Sequence, residues 1–453
     1  MKKKKRWKLS TTQIIMLGFV VVILAGSVLL ALPISSATGK SVPYIDALFT
    51  ATTATCVTGL VTVSTASTWS TFGHIVILIL IQIGGLGVIT IMCAFMMIMN
   101  RKIGIADRML IQDAFNLNTM SGLVKFVRKV LIGTFLIEGI GAILYMIVFI
   151  PEFGLRGIWI SVFNAISAFC NAGMDIIGEN SLCDYATNPL INIVTSLLIV
   201  LGGIGYIVWW DVLRVLGNKK ILKRKIFHHL TLHSKIALSV TASFIVLGAL
   251  AVFIFEYHNP LTLKEYSLFD KIQLSFFQSV TTRTAGFATI PQQNLTNPTA
   301  FVSLFLMFIG GSPVGTAGGI KTVTIAILAL STVASVRGKN EVTIFHRDLS
   351  RETVGKATAV CSMSFFIMLT STLLLSAVTN ASAMDIMFET VSATATVGLT
   401  RNLTPFLNFW GKLIIIVNMY LGRVGPISLA IAFNMKKKSE NIIKNPTEKI
   451  SVG

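Results

Sequence analysis

The sequence predicts an all-α polytopic membrane protein in which four tandem repeats, each a helix, a pore loop and a second helix, surround a pseudo-four-fold pore. Of the 453 residues, 53% are apolar and only 13% are charged, whereas soluble domains carry about 25% charged residues. Four glycines also recur at intervals of 114, 113 and 112 residues. Such a fixed period indicates repeats of one structural unit. The glycines are Gly59, Gly173, Gly286 and Gly398.

Long apolar runs predict the spanning helices, because about 20 apolar residues cross the hydrocarbon core of a bilayer. An eighth candidate, Val130–Ile150, contains one charge, Glu138. We therefore predict eight spanning helices plus four short re-entrant pore helices. The seven charge-free runs are Gln13–Leu32, Phe72–Met99, Leu190–Trp210, Ile236–Phe255, Ala300–Ile320, Ala357–Asn380 and Leu413–Gly422.

The distribution of basic residues predicts the orientation. Alternate connections, at 1–12, 100–129, 214–235, 336–356 and 436–453, hold 29 of the 38 Lys and Arg residues. Cytoplasmic loops carry such an excess, so we expect both termini in the cytoplasm and the four glycines toward the outside. This distribution accounts for the net charge of +19. A lipid bilayer is therefore the expected surrounding, and no nucleic-acid partner is expected.

The basic connections also divide the chain. We predict pore repeats at 10–100, 101–213, 214–336 and 337–435, followed by a cytoplasmic tail at 436–453. The long apolar run after the basic N-terminal arm predicts a retained first helix, not a cleaved signal peptide. A phenylalanine stands ten residues before each of the four glycines, which supports the repeat interpretation. These residues are Phe49, Phe163, Phe276 and Phe388.

The glycine turns have the chemistry of a cation site. Each short helix directs its C-terminal end, with about −0.5 of an elementary charge, toward the centre. Glycine allows backbone angles that turn carbonyl groups inward, and rings of carbonyl oxygens can replace the hydration shell of K⁺. The side chains around the turns carry no charge. Selection by backbone dipoles is therefore expected.

The second helix of the third repeat is interrupted. Where the first two repeats read IGGLG and LGGIG, it reads IGGSPVGTAGGIKT, with five glycines, a proline and a lysine. This density of glycine and proline breaks a helix, and a simple proline kink needs only one or two such residues. Irregular backbone at membrane depth occurs where it is buried in protein or lines an aqueous cavity. We predict a flexible loop across the pathway, on the cytoplasmic side of the turns.

Four charged positions or groups have two interpretations each. Glu138 is either a structural carboxylate beside a short helix or an ion-coupling group, and we prefer the structural role. Arg283 is expected to cap the third short helix, in preference to binding an anion. Arg423 either forms a salt bridge with Glu138 or Asp211, or acts as an electrostatic plug or an anchor for the broken segment. His228, His229 and His233 are expected to be structural or solvated and not metal ligands.

The cysteines and the embedded acids exclude other sites. Five cysteines form no CxxC pair, so neither a disulfide framework nor a metal site is expected. A membrane-embedded enzyme would need clusters of His, Asp or Glu within the apolar runs, and the sequence suggests only Glu138 there. We therefore predict that the protein is not an enzyme.

These motifs resemble a known family. The four pore-loop turns, TTRTAGF at Thr281–Phe287 and GGSPVGTAGGIKT at Gly310–Thr322 are similar to the superfamily of Trk, Ktr and HKT potassium transporters. The compact chain looks most like the membrane subunit of Ktr-type bacterial K⁺ uptake systems. The resemblance covers about residues 10–435 and implies K⁺-selective uptake across the bacterial plasma membrane.

The resemblance also implies the site residues. K⁺ at the filter is the only implied metal ion, and glycine at all four positions looks like the K⁺-selective pattern. The implied selectivity filter consists of Val57, Thr58, Gly59, Asn171, Ala172, Gly173, Thr284, Ala285, Gly286, Thr396, Val397 and Gly398. The implied gate consists of Gly310, Gly311, Ser312, Pro313, Gly315, Thr316, Gly318, Gly319, Lys321 and Arg423.

Partners and regulation are implied in the same way. Family members form homodimers on a cytoplasmic ring of nucleotide-binding regulatory subunits, which bind ATP or ADP and often cyclic di-AMP. The sequence contains no GxGxxG or P-loop motif, so no cofactor is expected on this chain. Uptake in such systems is often stimulated by Na⁺. Two alternatives remain: a less selective Na⁺/K⁺ transporter of the same superfamily, and a secondary transporter of a small neutral solute.

Overall fold

The computed structural model describes residues 10–99, 103–114, 122–218, 225–339 and 341–425. Within them the chain is mostly helical. The predicted cytoplasmic tail at 436–453 and the first nine residues of the basic arm lie outside the described residues.

The first quarter contains a long helix, a short helix and a second apolar helix. The long helix α1 begins at a capping box, in which Ser10 Oγ accepts from the N–H of Gln13 and Gln13 Oε1 accepts from the N–H of Ser10. The short helix α2 has 13 residues, about 20 Å, which is too short to cross a bilayer. The helices are α1 (Thr11–Ala31), α2 (Tyr44–Cys56), α3 (Thr65–Thr68), α4 (Thr71–Leu86), α5 (Val88–Ile98) and α6 (Ile105–Ala114).

The same order recurs in the other quarters. The second contains α7 (Leu123–Phe153), α8 (Arg156–Cys170), α9 (Pro189–Gly203), α10 (Tyr206–Leu216) and α11 (Ile226–His229). The third contains α12 (Leu232–Glu256), α13 (Leu268–Thr281), α14 (Asn297–Phe308) and α15 (Thr322–Val336). The fourth contains α16 (Arg351–Val378), α17 (Ala383–Ala395) and α18 (Phe409–Val424).

Two of the predicted spans are sharply bent. Helices α4 and α5 meet at 101°, and α9 and α10 meet at 99°. The bends lie at Gly87 (φ 86°) and Gly205 (φ 94°), the last glycines of the IGGLG and LGGIG motifs. Glycine adopts this left-handed region without a steric penalty. The runs Phe72–Met99 and Leu190–Trp210 are therefore not continuous helices, because apolarity does not indicate the sign of φ.

Four helices are long and apolar enough to cross a membrane, and the number rises to six when each bent pair counts as one span. The four are α1, α7, α12 and α16. By this criterion the described residues provide fewer than the eight predicted spans. The reason is that α14 and α15 are two halves of an interrupted run, and α18 has only 16 residues.

A short β-hairpin departs from the all-α prediction. Strand β1 (Val342–Ile344) pairs antiparallel with β2 (Arg347–Leu349) around a turn in which Phe345 and His346 have positive φ. Ile344 packs with Ile236 of α12 and Ala326 of α15. The hairpin therefore lies against the helix ends of the third quarter, in the predicted cytoplasmic connection.

Contacts between the quarters close a ring. Each second apolar helix packs against the short helix of the next quarter, and the last returns to the first. The pairs are α4 with α8, α9 with α13, α14 with α17, and α18 with α2. This cyclic order brings the C-terminal ends of the four short helices to one centre.

The phenylalanine ten residues before each glycine is buried in three quarters and exposed in the remaining one, the third. Phe49, Phe163 and Phe388 are fully buried, whereas Phe276 is 44% exposed and its neighbour Phe277 is buried. The reason is the position of the helix end. Helix α13 ends five residues before its glycine, whereas α2, α8 and α17 end three residues before theirs.

Candidate functional site

The four glycines at the ends of the turns are mutual neighbours. A β-carbon placed on Gly59 would lie 2.6 Å from the carbonyl oxygen of Ala172 and within 3.2 Å of the α-carbons of Gly173 and Gly398. The same placement on Gly173 would meet the Ala285 carbonyl oxygen at 2.6 Å. In the same way, a β-carbon on Gly286 would meet the Val397 carbonyl oxygen, and one on Gly398 would meet the Thr58 carbonyl oxygen. The ring therefore closes in chain order, and no glycine in it has room for a side chain.

Backbone handedness alternates within each turn. The residue two before each glycine has positive φ, between 52° and 67°, and so does the glycine, between 63° and 97°, whereas the residue between them does not. Alternation of this kind lets successive carbonyl oxygens face one axis instead of opposite sides. All twelve residues implied as the filter are brought together here. The eight that carry side chains (Val57, Thr58, Asn171, Ala172, Thr284, Ala285, Thr396 and Val397) are at most 1% exposed.

In three of the four turns, a serine or threonine of the short helix forms hydrogen bonds with the backbone of the turn. Thr53, Ser167 and Ser392 stand six residues before their glycines, and the carbonyl of each accepts from the residue before the glycine at 2.8–2.9 Å. The hydroxyls of Thr53 and Ser392 also accept from the N–H of Gly59 and Gly398, both at 3.0 Å. Ser167 Oγ accepts from the N–H of Met174. The third quarter has Val280 at this position, and Thr281 instead donates its hydroxyl to the carbonyl of Phe287.

Removal of one of these hydroxyl groups tests whether their hydrogen bonds support the turns. We expect Thr53→Val to weaken K⁺ discrimination over Na⁺ about fivefold, because the N–H of Gly59 loses a buried partner worth about 1 kcal/mol. The matched control is Thr52→Val, since the Thr52 hydroxyl donates only to the Leu48 carbonyl of its own helix. Competition of Na⁺ with K⁺ flux in proteoliposomes measures the effect. Equal discrimination in both variants would contradict the claim that the Thr53 hydroxyl supports the first turn.

The glycine motifs of the second helices have a packing role. A β-carbon on Gly84, Gly202 or Gly422 would collide with a carbonyl oxygen near the C-terminal end of a short helix. The partners are Thr55, Phe169 and Thr394 respectively. Each motif therefore lets a second helix approach a short helix at backbone distance, directly beneath the turns. The motifs are visible in the sequence, but their carbonyl neighbours lie far away in the chain and are not.

The interrupted segment, residues 309–322, is a closed loop. The N–H of Gly310 donates to the Ile320 carbonyl at 3.0 Å, and the N–H of Thr322 donates to the Gly311 carbonyl at 3.0 Å. The hydroxyls of Ser312 and Thr322 lie 2.9 Å apart. These bonds hold the two ends side by side between α14 and α15.

The middle of the segment lies directly beneath the ring. The N–H of Thr316 donates to the Gly202 carbonyl at 3.1 Å, and its hydroxyl donates to the Phe169 carbonyl at 3.1 Å. A β-carbon on Gly318 would collide with Thr396 Oγ1. The N–H of Ser312 also donates to the Gly203 carbonyl. The segment thus packs against the second and fourth turns.

Two cations accompany the segment. Arg423 donates to the carbonyls of Thr316 and Gly84, and Lys321 Nζ donates to the Ala317 carbonyl at 2.6 Å. The salt-bridge interpretation of Arg423 is wrong, because Glu138 accepts from Gln82 and Asp211 pairs with Arg214. Arg423 therefore fastens the segment to the first quarter.

A cavity of about 370 Å³ lies below the ring. Its wall includes Lys321, Arg423, the glycines Gly315, Gly318 and Gly319, and Asp113 of α6. The two basic side chains and the glycines of the segment thus line the same cavity.

Glu138 lies behind the second turn. Its two carboxylate oxygens each accept from Gln82 Nε2 at 3.2 Å, and Cys170, the last residue of α8, donates its thiol to Oε1 at 3.8 Å. All of these partners are side chains. The arrangement supports a structural carboxylate that ties α4, α7 and α8 together.

The amide substitution distinguishes the two roles of Glu138. We expect Glu138→Gln to keep K⁺ flux and any Na⁺ stimulation within about twofold of wild type, because the amide oxygen still accepts from Gln82. Thermal unfolding of the purified protein is expected at a lower temperature, since an amide has one acceptor oxygen where the carboxyl group offers two to Gln82 and Cys170. Loss of Na⁺ stimulation with normal expression would overturn the structural role.

Three features of the site were not predicted. Glu256 and Glu389 are fully buried, although the sequence suggested only one embedded acid. Glu389 accepts from the hydroxyls of Thr400 and Thr404, and Glu256 accepts from the N–H of Thr296. Arg283 does not cap its own helix and instead reaches other elements. Glu256 directly follows an apolar run and Glu389 lies within the short helix α17. The hydroxyl partners of both acids come later in the chain, so neither pairing is visible locally.

Comparison with known proteins agrees with this architecture. The family model described as "TrkH: Cation transport protein" matches residues 3–445. The solved structure of the potassium transporter TrkH from Vibrio parahaemolyticus aligns with a TM-score of 0.76 at 16% identity, over 95% of this chain and 86% of that one. That likeness concerns the fold.

Two curated relatives align along their whole length. The potassium/sodium uptake protein NtpJ of Enterococcus hirae is 41% identical over 100% of this chain and 99% of its own. The Ktr system potassium uptake protein B of Bacillus subtilis is 40% identical over 99% and 98%. The chain therefore belongs to the TrkH family of cation transport proteins.

Proposed function

We propose that the protein carries K⁺ into the bacterial cell through a filter built from the four glycine turns. The observation that carries the proposal is the ring itself, in which each glycine lies against the carbonyl of the next turn. Carbonyl oxygens are the ligands that can replace the hydration shell of K⁺. The relative in Bacillus subtilis is named for potassium uptake, which supports the same substrate.

The proposed architecture follows from the ring. Four units, with the bent pairs and the interrupted run each counted as one span, give eight spans around a pseudo-four-fold axis. The cyclic contacts between quarters support this arrangement over the inverted repeats of a neutral-solute transporter, which would lie in opposite orientations. Both termini lie in the cytoplasm in this proposal, because the basic connections are retained there.

A less selective Na⁺/K⁺ transporter is the second candidate. The relative in Enterococcus hirae is named as a potassium/sodium uptake protein, and Na⁺ is either transported or stimulatory under this reading. The four glycines favour K⁺ selectivity, since a side chain at any of them would disturb the ring. Competition between the two ions separates the candidates.

Regulation is proposed to act through the interrupted segment. Residues 310–322 with Arg423 are the gate, and the closed loop beneath the ring supports that role. The names of the Ktr system relatives support a cytoplasmic partner. We propose a homodimer on a ring of regulatory subunits that bind ATP, ADP or cyclic di-AMP, because this chain has no nucleotide-binding motif of its own.

Growth at low K⁺ tests the transport function. Cells that lack their own K⁺ uptake systems are expected to grow at low K⁺ when they express this chain together with a Ktr-type regulatory subunit. The same cells without the chain are the control. Absence of rescue by a protein that reaches the membrane would contradict the proposed function.

A further inference from the structure

A buried arginine lies between the third turn and the interrupted segment. Arg283 is 6% exposed and directly precedes Thr284, whose φ of 67° begins the third turn. Its guanidinium donates to the Gly310 carbonyl at 3.1 Å and to the Thr241 carbonyl at 3.5 Å. One side chain therefore touches the beginning of the segment, at Gly310, and lies beside the ring.

The charge of Arg283 depends on these carbonyls. None of the ion pairs in the described part of the chain involves it. A buried cation without a counter-ion is unfavourable unless hydrogen bonds satisfy it. If Gly310 moved, the guanidinium of Arg283 would either lose a hydrogen-bond acceptor or move together with Gly310.

Gly310 is also the point where the segment closes. Its N–H donates to the Ile320 carbonyl at 3.0 Å, so both ends of the segment meet at the residue that Arg283 holds. A cavity of about 10 Å³ beside the guanidinium, lined also by Thr241, Val280 and Gly311, has the size of about one water molecule. The guanidinium thus has room for a small displacement.

The other three quarters have no such residue. Cys56, Cys170 and Ala395 occupy the equivalent position, three residues before the glycine, and all are buried and uncharged. The arginine stands in the quarter whose second helix is interrupted. This coincidence argues against a general need for a cation at the end of a short helix.

We propose that Arg283 couples the interrupted segment to the filter: it holds the Gly310 carbonyl beside the third turn, so that the segment and Thr284–Gly286 move together. The inference rests on the proposed function of the segment as a gate. Arg283 is a positioning residue, because it acts on the ion through Thr284 and not by contact. Movement of the gate then changes ion selectivity as well as flux.

Two substitutions test the coupling in the full-length protein in proteoliposomes. We expect Arg283→Gln to lower K⁺ over Na⁺ discrimination at least fivefold and to raise K⁺ flux in the absence of the cytoplasmic partner. Arg283→Lys keeps the charge but not the forked donors, so a two- to threefold loss is expected. Arg401→Gln is the matched control, since Arg401 also contacts backbone carbonyls but pairs with Asp385 on the outer side.

The outcomes separate coupling from structure. Wild-type discrimination in both Arg283 variants overturns the proposal, and if only the lysine variant folds, wild-type discrimination there overturns it. An arginine that merely stabilised the fold would change the amount of protein and not the ratio of K⁺ to Na⁺ flux. The gate itself is tested by deletion of Val314–Gly319, which leaves Gly310 and Arg283 in place. Raised flux in the deletion with unchanged selectivity in the Arg283 variants would remove the coupling and keep the gate.

Discussion

Gly59→Ser is expected to lower K⁺ over Na⁺ discrimination at least tenfold, equivalent to about 1.4 kcal/mol of differential binding. Gly59 has φ 97°, where an L side chain is strained, and its β-carbon would lie 2.6 Å from the Ala172 carbonyl oxygen. Either the first or the second turn must shift, so the spacing of the carbonyl ring changes. Flux of K⁺ at increasing Na⁺, with proteoliposomes of purified protein, measures the ratio.

The chain offers a matched control for backbone strain. Gly39 also has positive φ, 70°, but a β-carbon there would meet no atom within 4 Å. Gly39→Ser is therefore expected to leave discrimination unchanged, although it also places an L side chain at positive φ. If Gly59→Ser kept wild-type discrimination, the glycine ring would not be the selective element. Equal losses in both variants would point to a general effect on the fold.

The ring could be predicted from the sequence because its signal is periodic. Gly59, Gly173, Gly286 and Gly398 recur at near-equal spacing in a chain of four similar units, and the need for glycine is local to each turn. The break at Gly310–Gly319 was equally visible, since no continuous helix tolerates so many glycines with a proline. Both predictions depend on residue types with strong backbone preferences.

Features that depend on three-dimensional neighbours were not predictable. Gly87 and Gly205 read like the other glycines of their motifs, yet only they adopt positive φ and bend their helices. Phe276 fits the sequence spacing, but Phe277 is the buried residue, because α13 ends earlier relative to its glycine than the other short helices. The partner of Arg283 lies 27 residues away. Local sequence patterns cover fewer residues than this and therefore do not indicate the partner.

Deletion of Val314–Gly319 is expected to raise K⁺ flux at least tenfold when the cytoplasmic partner is absent. The deleted residues include Thr316, which joins the segment to Gly202, Phe169 and Arg423, and Gly318, which lies against Thr396. Their removal shortens the loop and releases Arg423 from one of its two carbonyl partners. The measurement compares K⁺ flux into proteoliposomes that contain either the wild-type or the deleted protein, each without its partner. Both proteins must elute at the same volume in size-exclusion chromatography, which shows that the deletion folds.

A single substitution makes the same test with less disturbance. Thr316→Val removes the hydroxyl that donates to the Phe169 carbonyl at 3.1 Å. A bond of this kind contributes about 1 kcal/mol, so the ratio of open to closed protein is expected to rise about fivefold. Thr332→Val is the control, because that hydroxyl donates only to the Leu328 carbonyl of its own helix. Unchanged flux in both the deletion and Thr316→Val would show that the segment does not limit passage, and the barrier would then lie in the ring or at the two cations beneath it.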